Sequence, residues 1–474
     1  MSQLGKEIWE RRWEALKKRL DNIKVELNDP HLKSIFDGAV QDLKGFAQSH
    51  FYFFFNGFFK EGEVYSFEER KEYPPDYVLS TILGQISFDI DMIEKAARQR
   101  LGTDADVDFL ATTDLLAQQA LNPAIAKGVN LVDKDTKIIT YFQKNYSIRI
   151  IPYAKVAFIS IPYTCQGVEE DLLAIPHEVA HYVYRNGYLT LNGKKHKIHR
   201  YFEGQMVQSP QFMKNWVEEI FADTYGCLVA GPVIALDFQD LQLATTFEEF
   251  KKDWKDKEDP VPLLRPDIYS KVLKYVEKKL GKDPREEFWK KTTTILYDLW
   301  KKRRADKLDL LDDYPLKDID FTISNNTIML DEIMSVDPDN LDEEKELDKV
   351  IKNMLTQLKK AFPIEKTGLW SGDLSRINAE NHKQLYEDFK DFKRSLIKNQ
   401  LQVPEKLNHY KPTHIVGEGN ERIVLESWKL WAKNNKLIKE GDLNKGRIEK
   451  KEWVKIFLAS GWLTRGPVDN PVGG

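Results

Sequence analysis

The segment His177-Glu178-Val179-Ala180-His181 has the form H-E-x-x-H. On a helix, positions i and i+4 lie on one face, so His177 and His181 can offer two imidazoles to one metal ion. Glu178 stands beside them, free to act as a general base on a water at that metal. A second segment, Trp216-Val217-Glu218-Glu219-Ile220-Phe221-Ala222-Asp223, carries E-x-x-x-D at Glu219 and Asp223, also i and i+4. Catalytic zinc takes three protein ligands and keeps a fourth position open, and two His with one Glu is an accepted set. Asp223 then has a place behind a ligand, because a ligating imidazole usually donates its other ring N–H to a carboxylate. The bland alternatives are two surface histidines and a solvated acid pair. Like charges at i,i+4 destabilise a helix. The apolar frame of Val217, Ile220, Phe221 and Ala222 also favours buried, paired acids.

These residues resemble the gluzincin zinc metallopeptidases, whose signature is H-E-x-x-H followed by E-x-x-x-D. The resemblance covers about residues 150 to 270. It implies that His177, His181 and Glu219 are the zinc ligands, that Glu178 is the general base, and that Asp223 orients a ligand histidine. The metzincin pattern needs Gly at position 184 and His at 187, where this chain has Tyr184 and Gly187. The activity so implied is hydrolysis of peptide bonds in a peptide or protein substrate, with Zn2+ as cofactor. Two alternatives stay open. One is a non-catalytic, zincin-like regulatory or interaction protein, against which the presence of Glu178 weighs, since a structural site has no use for a base. The other is a zinc hydrolase of another amide substrate.

Transition-state stabilisation needs a donor beside the metal. His196, His199, Arg200, Tyr201 and Tyr225 are candidates, and the sequence does not choose among them. Arg265, which follows Asp259-Pro260-Val261-Pro262-Leu263-Leu264, could bind a substrate carboxylate or an oxyanion. An arginine after a Pro-rich turn is more often a structural anchor. The stretch from Lys194 to Arg200 is expected to be a basic loop between the two metal helices.

The surrounding elements must place these groups. Ala154 to Ile161 is apolar and β-branched and ends at Pro162, so it is expected to be a strand. The family resemblance makes it the sheet edge, where an extended peptide can add by main-chain hydrogen bonds; a plain core strand is the competing reading. Glu169 to Asn186 is expected to be the active-site helix, with Pro176 at its first turn or at a kink and Gly187 as its stop. Apolar periodicity places helices at Lys6 to Asn28, Leu32 to Phe54, Tyr77 to Leu101 and Asp108 to Leu121. Further helices are expected near Ile268 to Leu280, Arg285 to Lys302, Glu343 to Ala361 and Glu421 to Asn434. The fold class is therefore α+β and predominantly helical, with a small edge-stranded sheet and two metal-bearing helices. The expected parts are an N-terminal helical region (1–125), a zincin-like domain (126–330) and a C-terminal helical region (331–474).

The whole-chain numbers bound the setting. A chain of 474 residues can bury a substantial core in two or three domains. The net charge is only −4 and the charges are interspersed, so nucleic acid is not an expected partner. The first residues enter a charged helix with no apolar core of a secretory signal. Two cysteines, Cys165 and Cys227, do not suggest a disulfide scaffold and suit a reducing compartment. Cytoplasmic localisation is the expectation, with no membrane span. The aromatic run from Phe51 to Phe59 is too short to cross a bilayer and is expected to be the buried hub of the N-terminal helices. Asp442 to Glu452 fails the spacing of a calcium loop, and the Gly/Pro-rich end is expected to be an extended tail.

Overall fold

A computed structural model describes residues 4–59, 74–126, 129–151, 153–166, 169–207, 209, 211–243, 265–280, 293–294, 296–301, 303 and 342–358. The architecture is α+β and mostly helical. Contacts divide it into two compact units. Among the described residues the first holds 4–107 and 151–156, and the second holds 108–150 and 157–358.

The first unit is built on helices α1 (Lys6–Asp21), α2 (Pro30–Phe59) and α3 (Pro75–Gln99), which pack on one another. Phe51, Phe53, Phe54 and Phe55 are buried, as expected of a hub. The Trp13 ring stacks on Phe51 at 4.8 Å, and Phe51 stacks on Phe55 at 5.2 Å. Offset aromatic pairs of this kind add to the gain from burial alone. The Trp9 indole donates to Asp76 Oδ1 at 2.8 Å, so its one polar atom is satisfied. Helix α1 ends at Asp21, short of the expected Asn28, and the three helices otherwise follow their apolar periodicity.

The second unit carries the site. Helix α4 (Asp104–Ile125), expected among the N-terminal helices, has most of its length here and joins the core through Leu110, Leu116, Ala117 and Leu121. A three-stranded sheet follows, made of β1 (Lys137–Gln143), β2 (Ser147–Ile150) and β3 (Val156–Pro162) in the order β1-β3-β2. Strand β3 runs antiparallel to β2, with Ser160 opposite Ser147 and Ala157 opposite Ile150. Of the two readings of this strand, core and edge, the structure bears out the core strand: among the described residues β3 lies between β1 and β2. The reason is visible in its residues, since Val156 to Ile161 are all buried. A strand covered on both faces reads as a continuous apolar run rather than an alternation. Among the described residues the edge position beside it falls to β2, which is half-buried along its length and packs against the helix that carries His177 and His181.

The helix that carries His177 and His181 starts later than expected. Residues Glu169–Ala174 form a 3-10 segment, and α5 proper runs Ile175–Asn186. Pro176 lies in the first turn, where its missing N–H costs nothing. The expected basic loop is also replaced, because β4 (Tyr188–Leu191) and β5 (Lys194–Lys197) form a hairpin that leads into α6 (Ile198–Gln205). Its turn residues Asn192 and Gly193 have φ of 50° and 76°, the left-handed pair that a tight hairpin of this kind requires.

Helices α7 (Gln211–Ala230), α8 (Pro232–Leu243), α9 (Arg265–Leu280) and α10 (Asp342–Leu358) complete the described part. Helix α10 packs on α7 and α9 through Val350, Ile351, Met354 and Leu358, so this segment belongs to the core of the second unit. Helices α5 and α7 lie along each other. Gly226 permits that approach, because a Cβ there would sit 3.3 Å from the His177 backbone nitrogen and 3.2 Å from Ile234 Cδ1. Of the expected helix from Arg285 to Lys302, only part is described. The helix at 421–434, the segment at 442–452 and the terminal tail lie outside the described residues. Among the described residues no helix is long and apolar enough to cross a membrane.

Candidate metal centre

Three helices each contribute one i,i+4 pair to a single cluster: His177 and His181 from α5, Glu219 and Asp223 from α7, Arg265 and Tyr269 from α9. His177 Nε2 and His181 Nε2 lie 3.2 Å apart. Glu219 closes the triangle, with Oε2 3.4 Å from His177 Nε2 and Oε1 3.3 Å from His181 Nε2. Zinc–nitrogen bonds are about 2.0 Å, and a tetrahedral ion then spaces its ligand atoms about 3.3 Å apart. The three distances involve both Glu219 oxygens; taken one ligand atom per residue, the atoms lie within 4.8 Å of one another, close enough to share a metal ion. Among the described residues this is the one group of His, Cys, Asp and Glu able to share an ion.

Each imidazole has a carboxylate at its outer nitrogen. Asp223 Oδ1 lies 2.9 Å from His177 Nδ1, and Glu218 Oε1 lies 3.3 Å from His181 Nδ1. A proton held at Nδ1 leaves the Nε2 lone pair for a metal. Asp223 is fully buried and takes four donors. Besides His177 it accepts from Arg265 Nε at 3.1 Å, from Arg265 Nη2 at 2.7 Å, and from the Tyr269 hydroxyl at 2.9 Å. Arg265 Nη2 also approaches Glu219 Oε2 at 3.1 Å and His177 Nε2 at 3.2 Å. Its guanidinium lies 5.1 Å over the Phe238 ring, which covers the other side.

The charges settle accordingly. Burial alone would lower the His177 pKa, but the Asp223 and Glu219 carboxylates outweigh it and raise it to about 9. For His181 burial prevails, and despite the opposing Glu219 charge its pKa falls below the usual value. Burial would raise the Glu219 carboxyl, yet His181, His177 and Arg265 hold it well below the ordinary range. Asp223 is lowered in the same way, chiefly by Arg265 against the burial penalty. Two acids and a guanidinium can thus stay ionised out of water because each has a partner.

Glu178 is half-buried and makes no hydrogen bond or ion pair among the described residues. Its charge is felt at His181.

The remaining candidates are placed elsewhere. The Tyr225 hydroxyl is fully buried and donates to the Ala120 carbonyl oxygen at 2.8 Å, which ties α7 to α4. The His199 ring sits beside Tyr184 at 6.3 Å, its pKa lowered to about 4 by burial and by Arg185, and contributes no atom to the triad. His196 and Arg200 are exposed on the hairpin and α6. Tyr201 accepts from Gln357 at 3.4 Å. Of the proposed substrate-side groups, the structure brings only Arg265 into the cluster, where it also anchors Asp223. Sequence reasoning gave no role to Glu218, Arg185 or Tyr269. The signals for them were weak: Arg185 continues the four-residue spacing of the histidines, and Tyr269 stands four after Arg265.

Comparison of the chain with family models, with curated proteins and with solved structures finds no match.

Proposed function

We propose that the chain is a zinc-dependent metallopeptidase of the gluzincin kind. His177, His181 and Glu219 hold the ion, and Glu178 is the general base. The observation that carries this reading is that His177, His181 and Glu219 bring one ligand atom each to within 4.8 Å of one another, with Glu178 next to His177 on the same helix. Zinc bound there would supply a Lewis acid that polarises a peptide carbonyl and acidifies a water. The protein's own groups do the rest. Glu178 accepts a proton from the attacking water as its oxygen bonds to the carbonyl carbon, then delivers that proton to the amine as the C–N bond breaks. Asp223 and Glu218 hold the two imidazoles, and Arg265 keeps Asp223 and Glu219 ionised. In this reading an extended peptide pairs with β2, an edge strand of the sheet among the described residues, which packs against α5. Cys165 and Cys227 are free and buried, which suits a reducing, cytoplasmic setting.

The test is metal analysis of the purified protein joined to a proteome-scale cleavage assay. We expect one zinc per chain, lost when His177 or His181 becomes Ala. Glu178→Gln should keep zinc and fold but lose turnover, because an amide cannot take the proton. Near-stoichiometric zinc in the double His variant sinks the ligand assignment. Wild-type cleavage by Glu178→Gln sinks the mechanism. Zinc binding with no cleavage of any peptide by the wild type favours a metal kept for structure.

A further inference from the structure

The outer nitrogen of His181 is held by a charge pair that spans two helices. Glu218 Oε1 lies 3.3 Å from His181 Nδ1, and Arg185 donates Nε–H to the same oxygen at 2.7 Å. Arg185 Nη2 grips the second oxygen, Oε2, so the contact is a bidentate fork. Arg185 stands one turn beyond His181 on α5, and His177, His181 and Arg185 form one stripe at four-residue spacing. Glu218 directly precedes the ligand Glu219 on α7.

We propose that Arg185 and Glu218 are positioning residues for His181, an inference that rests on the metal reading above. A neutral imidazole carries one N–H. A carboxylate at Nδ1 draws that hydrogen to itself and leaves the Nε2 lone pair facing His177 and Glu219. Glu218 by itself would stand beside a second carboxylate, Glu219, with rotational freedom about its terminal bond. The guanidinium removes both problems: it supplies the countercharge, and its planar fork fixes the plane of the carboxylate. His177 has a comparable pair at its own Nδ1, Asp223 backed by Arg265. Each ligand histidine thus has its own carboxylate and each carboxylate its own arginine.

The experiment uses the full chain, with and without zinc. In the metal-free protein, nitrogen–proton correlation spectra of the His181 ring report its tautomer, a readout that does not depend on activity. Wild type should show the proton at Nδ1. Glu218→Ala should show a mixed or reversed tautomer and bind zinc about 10- to 100-fold more weakly in chelator competition. Glu218→Gln should keep the tautomer, since its amide oxygen still accepts the N–H, and lose less affinity. Arg185→Lys, which keeps the charge but not the fork, should weaken zinc binding more than Glu218→Gln does. Wild-type tautomer and affinity in Glu218→Ala overturn the inference. If that variant does not fold, Arg185→Lys decides, and wild-type zinc affinity there overturns it equally. Absence of zinc binding by the wild type removes the metal reading and this inference together. Zinc binding that is indifferent to both residues removes this inference alone.

Discussion

Two buried histidines, one in each unit, show what neighbours do to the same side chain. His50 lies in α2 between the rings of Phe46 and Phe54, at centroid distances of 4.9 and 5.3 Å. Burial there drives its pKa down to about 3. His177 is almost as buried, yet its carboxylate partners bring it up to about 9. Desolvation penalises the charged imidazole in both places. At His50 the Phe46 and Phe54 rings are neighbours and burial prevails; at His177, Asp223 and Glu219 answer the penalty. The same burial therefore lowers one imidazole and is overcome at the other by paired carboxylates on α7.

The contrast can be broken most forcefully at Asp223. Asp223→Ala removes the acceptor shared by His177, Arg265 and Tyr269 and leaves a buried guanidinium without its main partner. Denaturant unfolding of the metal-free protein should show a loss of about 3–5 kcal/mol. Zinc affinity should fall about 10- to 100-fold where the variant still folds, and Asp223→Asn should lose less on both counts. Unchanged stability in Asp223→Ala would mean that these carboxylate partners do not offset burial at all.

At His50 the expected effect is a pH dependence. The folded pKa of about 3 lies below the unfolded value of about 6.5, so between them the unfolded chain binds a proton that the folded chain refuses. Stability is therefore whole above pH 6.5 and falls as the pH drops toward 3. From pH 6.5 to pH 5 the loss attributable to His50 is about 2 kcal/mol. Unfolding free energies of wild type and His50→Leu at both pH values measure it. If the two proteins lose stability in parallel, burial does not lower the His50 pKa.

The smallest effect concerns how closely the charged helices must approach. Gly226→Ala forces a methyl against the His177 backbone and Ile234, at an expected cost of about 1–3 kcal/mol. Thermal unfolding checks the cost, and zinc titration checks whether moving α7 away from α5 loosens the triad. A neutral substitution would show that the helix contact has slack and that the 3.2–3.4 Å spacing is not set there.

Local rules made much of this legible. Apolar residues at helical spacing located α2, α3, α4, α9 and α10, because burying one face is a property of the segment itself. The site pairs were legible for the same reason: i and i+4 share a face whatever else the chain does. The errors have local causes too. Pro176 starts α5 where the apolar pattern runs on into the 3-10 segment. Asn192–Gly193 is a strong hairpin signal, and it outweighs the lysines around it that favour a loop. The continuous apolar run of β3 fits a central strand, but the family resemblance pointed to an edge.

What the sequence by itself determined is which residues can act in pairs: two imidazoles on α5, two carboxylates on α7, and a base beside the first. Tertiary structure alone decided which pairs meet. No spacing rule relates Glu218 to Arg185, at 33 residues' separation, or Arg265 to Asp223, at 42. Those contacts follow from the register of α5 on α7 and of α9 on α7, which is set by close packing at positions such as Gly226 and by the geometry of paired charges out of water. A helical face is encoded in a few neighbouring residues; the face it meets is chosen by the packing of the whole unit.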